Sequence, residues 1–334
     1  MNWPMRRVSE LCFVAVDCVN KTAPTVEYET PYKMIRTTNV KGGFVYLDEV
    51  RYVTEETFAR WTRRSKPTYG DVILSREAPV GEVGRFTSND DCVFLGQRLF
   101  HYRPNPDLLD WNYLAFVLQS HDVQGRLRGM GFGATVQHIK VPDAENLRIP
   151  CPPIDVQRHI GDILSAYDDL IENNRRRMAL LEEAARQLYR EWFVRLRFPG
   201  HEHTRITNGV PEGWERVPTP EAIEINPATR LSDETEHWSV EMADLPTDSM
   251  VIQQATKREG RSGSKFRNGD TLFARITPCL ENGKTAFVNF LENGETARGS
   301  TEFIVLRGKR VTPEFVYCLA RTHAFRGNAI KSMV

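Results

Sequence analysis

Residues 151–199 read CPPIDVQRHIGDILSAYDDLIENNRRRMALLEEAARQLYREWFVRLRFP. Pro152 and Pro153 suit the position just before a helix or its first turn. Asp155 places negative charge where the helix dipole favours it. An apolar seam then runs Ile160, Ile163, Tyr167, Leu170, Asn174, Leu181 and Leu188, stepping by threes and fours, with Asn174 as its polar position. Beyond Asn174 the second seam position is taken by Arg177, Ala184 and Glu191, and the stripe drifts to Met178, Ala185 and Trp192. At 1.5 Å per residue, about forty residues of this pattern span about 60 Å. A stripe this long and broad predicts a coiled-coil-forming helix that touches more than one partner, not the core helix of one domain. Asn174 either fixes a coiled-coil register or is a solvated break in the seam. Arg175, Arg176 and Arg177 read as a solvated or partner-facing surface, with phosphate contact as the alternative.

The chain on either side of this helix repeats itself. Gly70-Asp71-Val72-Ile73-Leu74-Ser75-Arg76 returns as Gly269-Asp270-Thr271-Leu272-Phe273-Ala274-Arg275, 199 residues later. Trp111–Leu118 aligns with Pro313–Ala320 at an offset of 202, and in that frame His121 meets His323 and Gly125 meets Gly327. Trp3 to Val8 is mirrored by Gly213 to Val217. Such landmarks in register predict a duplicated domain of roughly 150 residues. In that frame the second copy ends where its own glycine loop, extended segment and long helix should begin, about 70 residues fewer than the first copy, as in a fragment or a naturally short chain. The expected architecture is α+β: mixed α/β domains at residues 1–150 and 200–334, joined by the long helix at 151–199. Within the first domain, residues 32–40 alternate as a strand, 55–64 form a short helix, and 69–76, 81–86 and 92–102 are strands. Trp111–Arg128 has the spacing of one helix.

Composition bounds the function. The 334 residues are 40% apolar and 26% charged, enough for real cores. Net charge is zero, so any nucleic-acid surface is a local patch. No apolar run is long enough for a transmembrane helix. Six cysteines without a CxxC pair indicate neither zinc nor a disulfide framework, and fit a reducing cytoplasm. Asn282-Gly283-Lys284-Thr285 lacks the earlier glycine of a phosphate loop, since Pro278 stands there. Ile225-Asn226-Pro227-Ala228 lacks the second proline and aromatic residue of an amino-methyltransferase motif. No catalytic constellation and no metal site emerge.

Ile149-Pro150-Cys151-Pro152-Pro153-Ile154-Asp155-Val156-Gln157, followed by Ile163 to Arg176 and by Leu188-Tyr189-Arg190-Glu191-Trp192-Phe193-Val194, closely resembles the central conserved region of type I restriction–modification specificity subunits. Gly213-Trp214-Glu215 resembles the opening of that family's second target-recognition domain, and the two Gly-Asp strands look like the motif found in each such domain. The resemblance implies two target-recognition domains, each reading one half of a split site in double-stranded DNA. The helix would hold them apart and dock modification (methyltransferase) subunits, through Ile163, Tyr167, Leu170, Asn174, Leu181, Leu188 and Trp192. S-adenosylmethionine, ATP and Mg would belong to partner subunits, with restriction (translocase–nuclease) subunits joining them, and this chain would bind no cofactor and catalyse nothing. The family's second conserved helix is not found here, so apolar surface around Leu170, Leu181 and Trp192 is expected to be left for another subunit or a second copy. The alternative is a coiled-coil protein-binding adaptor without DNA recognition.

Base readout needs donors and acceptors on loops, with cations on phosphates. The candidates in the first domain are Arg36, Thr38, Asn39 and Lys41, then Arg63, Arg64, Lys66 and Arg76, then Gln137 and His138 after the glycine loop. In the second they are Lys257, Arg258, Arg261, Lys265, Arg275 and Lys284.

Overall fold

The computed structural model describes residues 3–130, 138–252 and 254–331. The chain divides into two compact units, Met1–Glu172 and Asn173–Val334, so the boundary falls inside the long helix.

The first unit is built on the strand Val72–Ser75, buried along its whole length. Alternate residues of a strand face opposite ways. Val72 and Leu74 accordingly enter one core with Leu11, Phe100, Tyr102, Leu114 and Leu118, while Ile73 enters another with Ile35, Val40, Phe86 and Leu99. Six strands lie in the order Cys12–Asp17, Leu99–Pro104, Val72–Ser75, Val83–Arg85, Gly43–Val45, Val40–Lys41. A smaller sheet orders Arg51–Tyr52, Lys33–Ile35 and Val93–Leu95. The expected strand at 32–40 is cut short at Ile35. The Asn39 side chain accepts from the Arg36 backbone N–H at 2.9 Å and closes a 3-10 turn at Thr37–Asn39. The expected single helix over 111–128 is two helices, Trp111–Gln119 and His121–Met130. Ser120 leaves helical geometry between them, and its carbonyl accepts from Gln124 N–H.

The long helix runs Ile154–Tyr189 and continues as a π turn, Arg190–Val194. Its first turns are seated in the first unit by polar contacts absent from the apolar pattern. Buried Gln157 accepts from Asp110 N–H at 3.0 Å and donates to the carbonyls of Leu108 and Pro152. Gly161 is required here, because a Cβ would stand 2.6 Å from the Asp110 carboxylate. Further along, Asp168 pairs with Arg85, whose guanidinium is otherwise enclosed by Asn112, the Gly43 carbonyl and the rings of Phe44 and Phe116.

The second unit repeats the scaffold. Ile223–Ile225, Phe303–Gly308, Thr271–Ala274 and Thr285–Phe287 lie in one sheet in that order, matching the first four strands of the six-stranded sheet. In both, the aspartate of the Gly-Asp pair is buried and structural. Asp71 takes two hydrogen bonds from Arg103 and one from Thr68 N–H; Asp270 takes two from Arg307 and one from Arg267 N–H. The helices Trp111–Gln119 and Pro313–Ala320 are capped alike, by Asp110 and Thr312. A second sheet, Thr256–Glu259, Glu236–Val240, Thr296–Gly299, Ser264–Arg267, completes this unit. Its part of the long helix is held by Glu182, which is buried and accepts from Met250 N–H at 2.8 Å and from the Tyr317 hydroxyl at 2.7 Å. Tyr189, Phe193, Phe315, Trp214 and Phe198 add a run of tilted and edge-to-face rings with centroids 4.9–5.5 Å apart.

Candidate nucleic-acid interface

In each unit the central buried strand ends on a loop, and the polar side chains collect around that end. In the first unit Arg76 N–H donates to the Arg98 carbonyl at 2.8 Å; Arg98 pairs with Glu77 at 2.9 Å; Glu77 bridges to His138; and the Thr37 hydroxyl donates to the Ala78 carbonyl at 3.0 Å. Arg64 reaches Asp17, which stands opposite Phe100 in the same sheet. The result is a rim carrying Arg36, Thr38, Arg64, Arg98 and His138. In the second unit Arg275 N–H donates to the Glu302 carbonyl at 3.1 Å in the equivalent geometry, and its guanidinium pairs with the Glu302 carboxylate at 2.8 Å. That hydrogen bond holds the Glu302 carboxyl below its ordinary range. Beside it opens a cavity of about 560 Å³ where Arg230, Lys265 and Arg275 meet Thr229, Ser264 and Thr301.

The structure sorts the sequence candidates. Asn39 is buried, and its amide donates to the carbonyls of Tyr46 and Glu49, so it shapes the rim from inside instead of meeting a base. Arg76 is 7% exposed and donates to the Ile139 carbonyl at 3.0 Å; it too is structural, unlike its repeat equivalent Arg275, which is exposed. The physical reason is the following segment, whose Ile139 covers Arg76. Lys284 is spent on the Met242 carbonyl at 2.7 Å. Lys66 pairs with Asp91 at 3.3 Å on the surface, and Arg63 is exposed. Lys41 is exposed on the edge strand, with its ammonium 5.4 Å from the Tyr46 ring. Lys257 lies over Trp238 at 5.3 Å, Arg258 pairs with Glu241 at 3.0 Å, and Arg261 donates to the Leu231 carbonyl at 3.3 Å. Gln137 lies outside the described residues.

Arg98, Arg230 and Arg298 were not among the sequence candidates. Arg98 had a signal. Leu99–Pro104 and Phe303–Gly308 are equivalent strands, so Arg98 occupies the place of Glu302. Arg298 stands directly opposite Lys265 across two strands, a like-charge pair that favours a nearby anion.

Along the long helix, Ile163, Tyr167, Leu170, Leu181 and Leu188 are all exposed, Leu181 by 69% and Tyr167 by 63%. Asn174 is exposed and Trp192 half-buried. Glu182, Tyr189 and Phe193, outside the expected seam, turn into the second unit.

Among the described residues, no cluster of three His, Cys, Asp or Glu side chains is placed to hold a metal ion, and no helix is long and apolar enough to cross a membrane. Burial pushes the Cys12 thiol up to about 12, which leaves it un-ionised at neutral pH.

Residues 2–183 match the family model described as type I restriction modification DNA specificity domain. The chain is 27% identical over 177 residues to the type I restriction enzyme MjaIX specificity subunit of Methanocaldococcus jannaschii, covering 52% of this chain and 40% of that one. It is 23% identical over 285 residues to the putative MjaX specificity subunit of the same organism, covering 83% and 61%. A 103-residue stretch is 35% identical to the EcoAI specificity subunit of Escherichia coli, 29% of this chain and 17% of that one. The chain thus spans 40% and 61% of the length of the two archaeal relatives. A solved type I restriction–modification S subunit from M. genitalium shares the fold, with a TM-score of 0.52 at 16% identity over 100% of this chain and 79% of that one. With its family model matched across the first unit and into the long helix, the chain belongs to the type I restriction modification DNA specificity family.

Proposed function

We propose that this chain chooses the DNA sequence acted on by a type I restriction–modification complex. The domains at 1–150 and 200–334 each read one half of a bipartite site, and the helix at 151–199 docks modification subunits through its exposed seam. Chemistry belongs to the partners: S-adenosylmethionine and adenine methylation to the modification subunits, ATP and Mg to the restriction subunits.

One observation carries this reading within the family. The duplicated scaffold opens the same strand end twice onto a rim of cations and small polar groups, around Arg98 and around Arg275. Arginine forks and lysines suit phosphates, and the hydroxyls and amides among them suit base edges. A protein-binding adaptor has no use for two such rims, whereas the exposed helix alone would suit one.

The test uses the chain co-purified with its modification subunits. Alanine at Arg230 and Lys265 should weaken DNA binding on every sequence. It should also lower the slope of log K against log salt by about 0.9 for each phosphate that is no longer neutralised. Subunit assembly should be unchanged. Unaltered affinity and slope would remove the second-unit cavity from the interface.

A further inference from the structure

A second cavity in the second unit holds none of the DNA-reading candidates. It also measures about 560 Å³ and lies between the long helix and the helices Pro313–Ala320 and His323–Lys331. Its wall carries Arg186, Arg190, Arg321 and Arg326, over an apolar floor that includes Tyr189 and Leu319. Among the described residues, Glu183 is the one carboxylate on that wall, and it pairs with Arg186 at 3.3 Å. Arg321 donates to the backbone carbonyls of Gly283 and Thr247 and has no carboxylate partner among the described residues. Arg190 and Arg326 make no side-chain hydrogen bond or ion pair among those residues either. The Nε atoms of Arg186 and Arg326 are both buried and unsatisfied.

The duplication shows that this crowding is not demanded by the scaffold. Gly81 and Gly283 are equivalent, both at positive φ, and each receives a side chain from the following helix where a Cβ would collide. In the first unit that side chain is Gln124, whose amide donates to the carbonyls of Gly81 and Leu118, both at 2.8 Å. In the second it is Arg326, 2.5 Å from where a Gly283 Cβ would lie. A neutral amide with both N–H donors satisfied is replaced by a cation whose Nε is buried and unsatisfied. Burial, and after it the charge of Arg321, disfavours the Arg326 cation, so an anion in the cavity would relieve both.

We propose that this cavity binds a phosphate group, as a small phosphate monoester or as the free ion. The guanidinium fork matches phosphate oxygens in pairs, the volume suits a small ligand, and the apolar floor offers a place for an organic body. This assignment stands apart from the DNA-reading rims.

Isothermal titration of the full chain in phosphate-free buffer, with adenosine monophosphate, inorganic phosphate and adenosine as probes, tests it. Saturable one-to-one binding of either phosphate probe, without binding of adenosine, is expected, and the ratio of their affinities says which source fits better. Arg326→Gln installs the side chain that the first unit holds at the same place, so it should fold. It should weaken binding at least about tenfold, as removal of a charge-assisted hydrogen bond requires. Arg190→Ala, on the exposed part of the wall, should do the same, and Lys265→Ala should not. No saturable binding, equal binding by Arg326→Gln, or displacement of the probe by duplex DNA or an acidic peptide would overturn the proposal.

Discussion

Asp71, the aspartate of the first Gly-Asp pair, is 1% exposed. Burial by itself raises its pKa, but the hydrogen bonds from His101 and Arg103 outweigh it, and the carboxyl is held below its ordinary range. A carboxylate with a depressed folded pKa contributes stability above its unfolded pKa of about 3.9, and that contribution is lost as pH falls through the folded value. Stability should therefore drop steeply below about pH 4, and Asp71→Asn should lower stability at pH 7 while flattening that acid limb. Urea unfolding at a series of pH values measures both; an unchanged acid limb in Asp71→Asn would assign it to other carboxylates. Removing the partner instead, as in Arg307→Ala on Asp270, leaves a buried charge and should cost about 3–5 kcal/mol. These residues show where sequence reading stops. Asn39 and Arg76 have the chemistry of a DNA contact, and only the packing of Tyr46, Glu49 and Ile139 over them reveals that the chemistry is already used.

At the scale of elements, the long helix was plain in the sequence because proline, charge and spacing agree from Pro152 to Tyr189. What fastens it was not. Gln157, Asp168 and Glu182 hold it to the units through polar contacts with residues 47 to 135 positions away, Gly161 leaves room for Asp110, and no periodicity reports a partner at that distance. The residues that periodicity did report, Leu170 and Leu181 among them, remain exposed. Exposed positions away from special contacts change stability by no more than about 0.5 kcal/mol. Leu170→Asp with Leu181→Asp should accordingly leave the melting temperature nearly unchanged but abolish co-purification with modification subunits. A lowered melting temperature with the partner retained would mean that the seam serves this chain's own fold. Helix boundaries were less visible: Ser120 breaks a run whose apolar spacing continues across it, since a hydroxyl that bonds the local backbone competes with helix at little cost.

At the scale of the whole molecule, the duplication is the most informative feature, and it was present in the sequence as three landmarks 199 to 202 residues apart. The structure turns them into a shared strand order, a shared buried Asp–Arg pair and a shared helix cap. Where the copies agree, the residues maintain the fold. Where they differ on the rims, as at Arg98 against Glu302, the residues are free to carry separate specificities. That contrast is why two half-sites of different sequence are expected. The central claim is that the two units read two halves of one site, and the most direct measurement is methylation mapping by sequencing in cells expressing this chain with its modification subunits. The account predicts methylated adenines within a bipartite motif, two short specific blocks separated by a fixed unspecified spacer, with replacement of residues 1–150 changing one block alone. A single contiguous motif, or no sequence-specific methylation by an assembled complex, would contradict it.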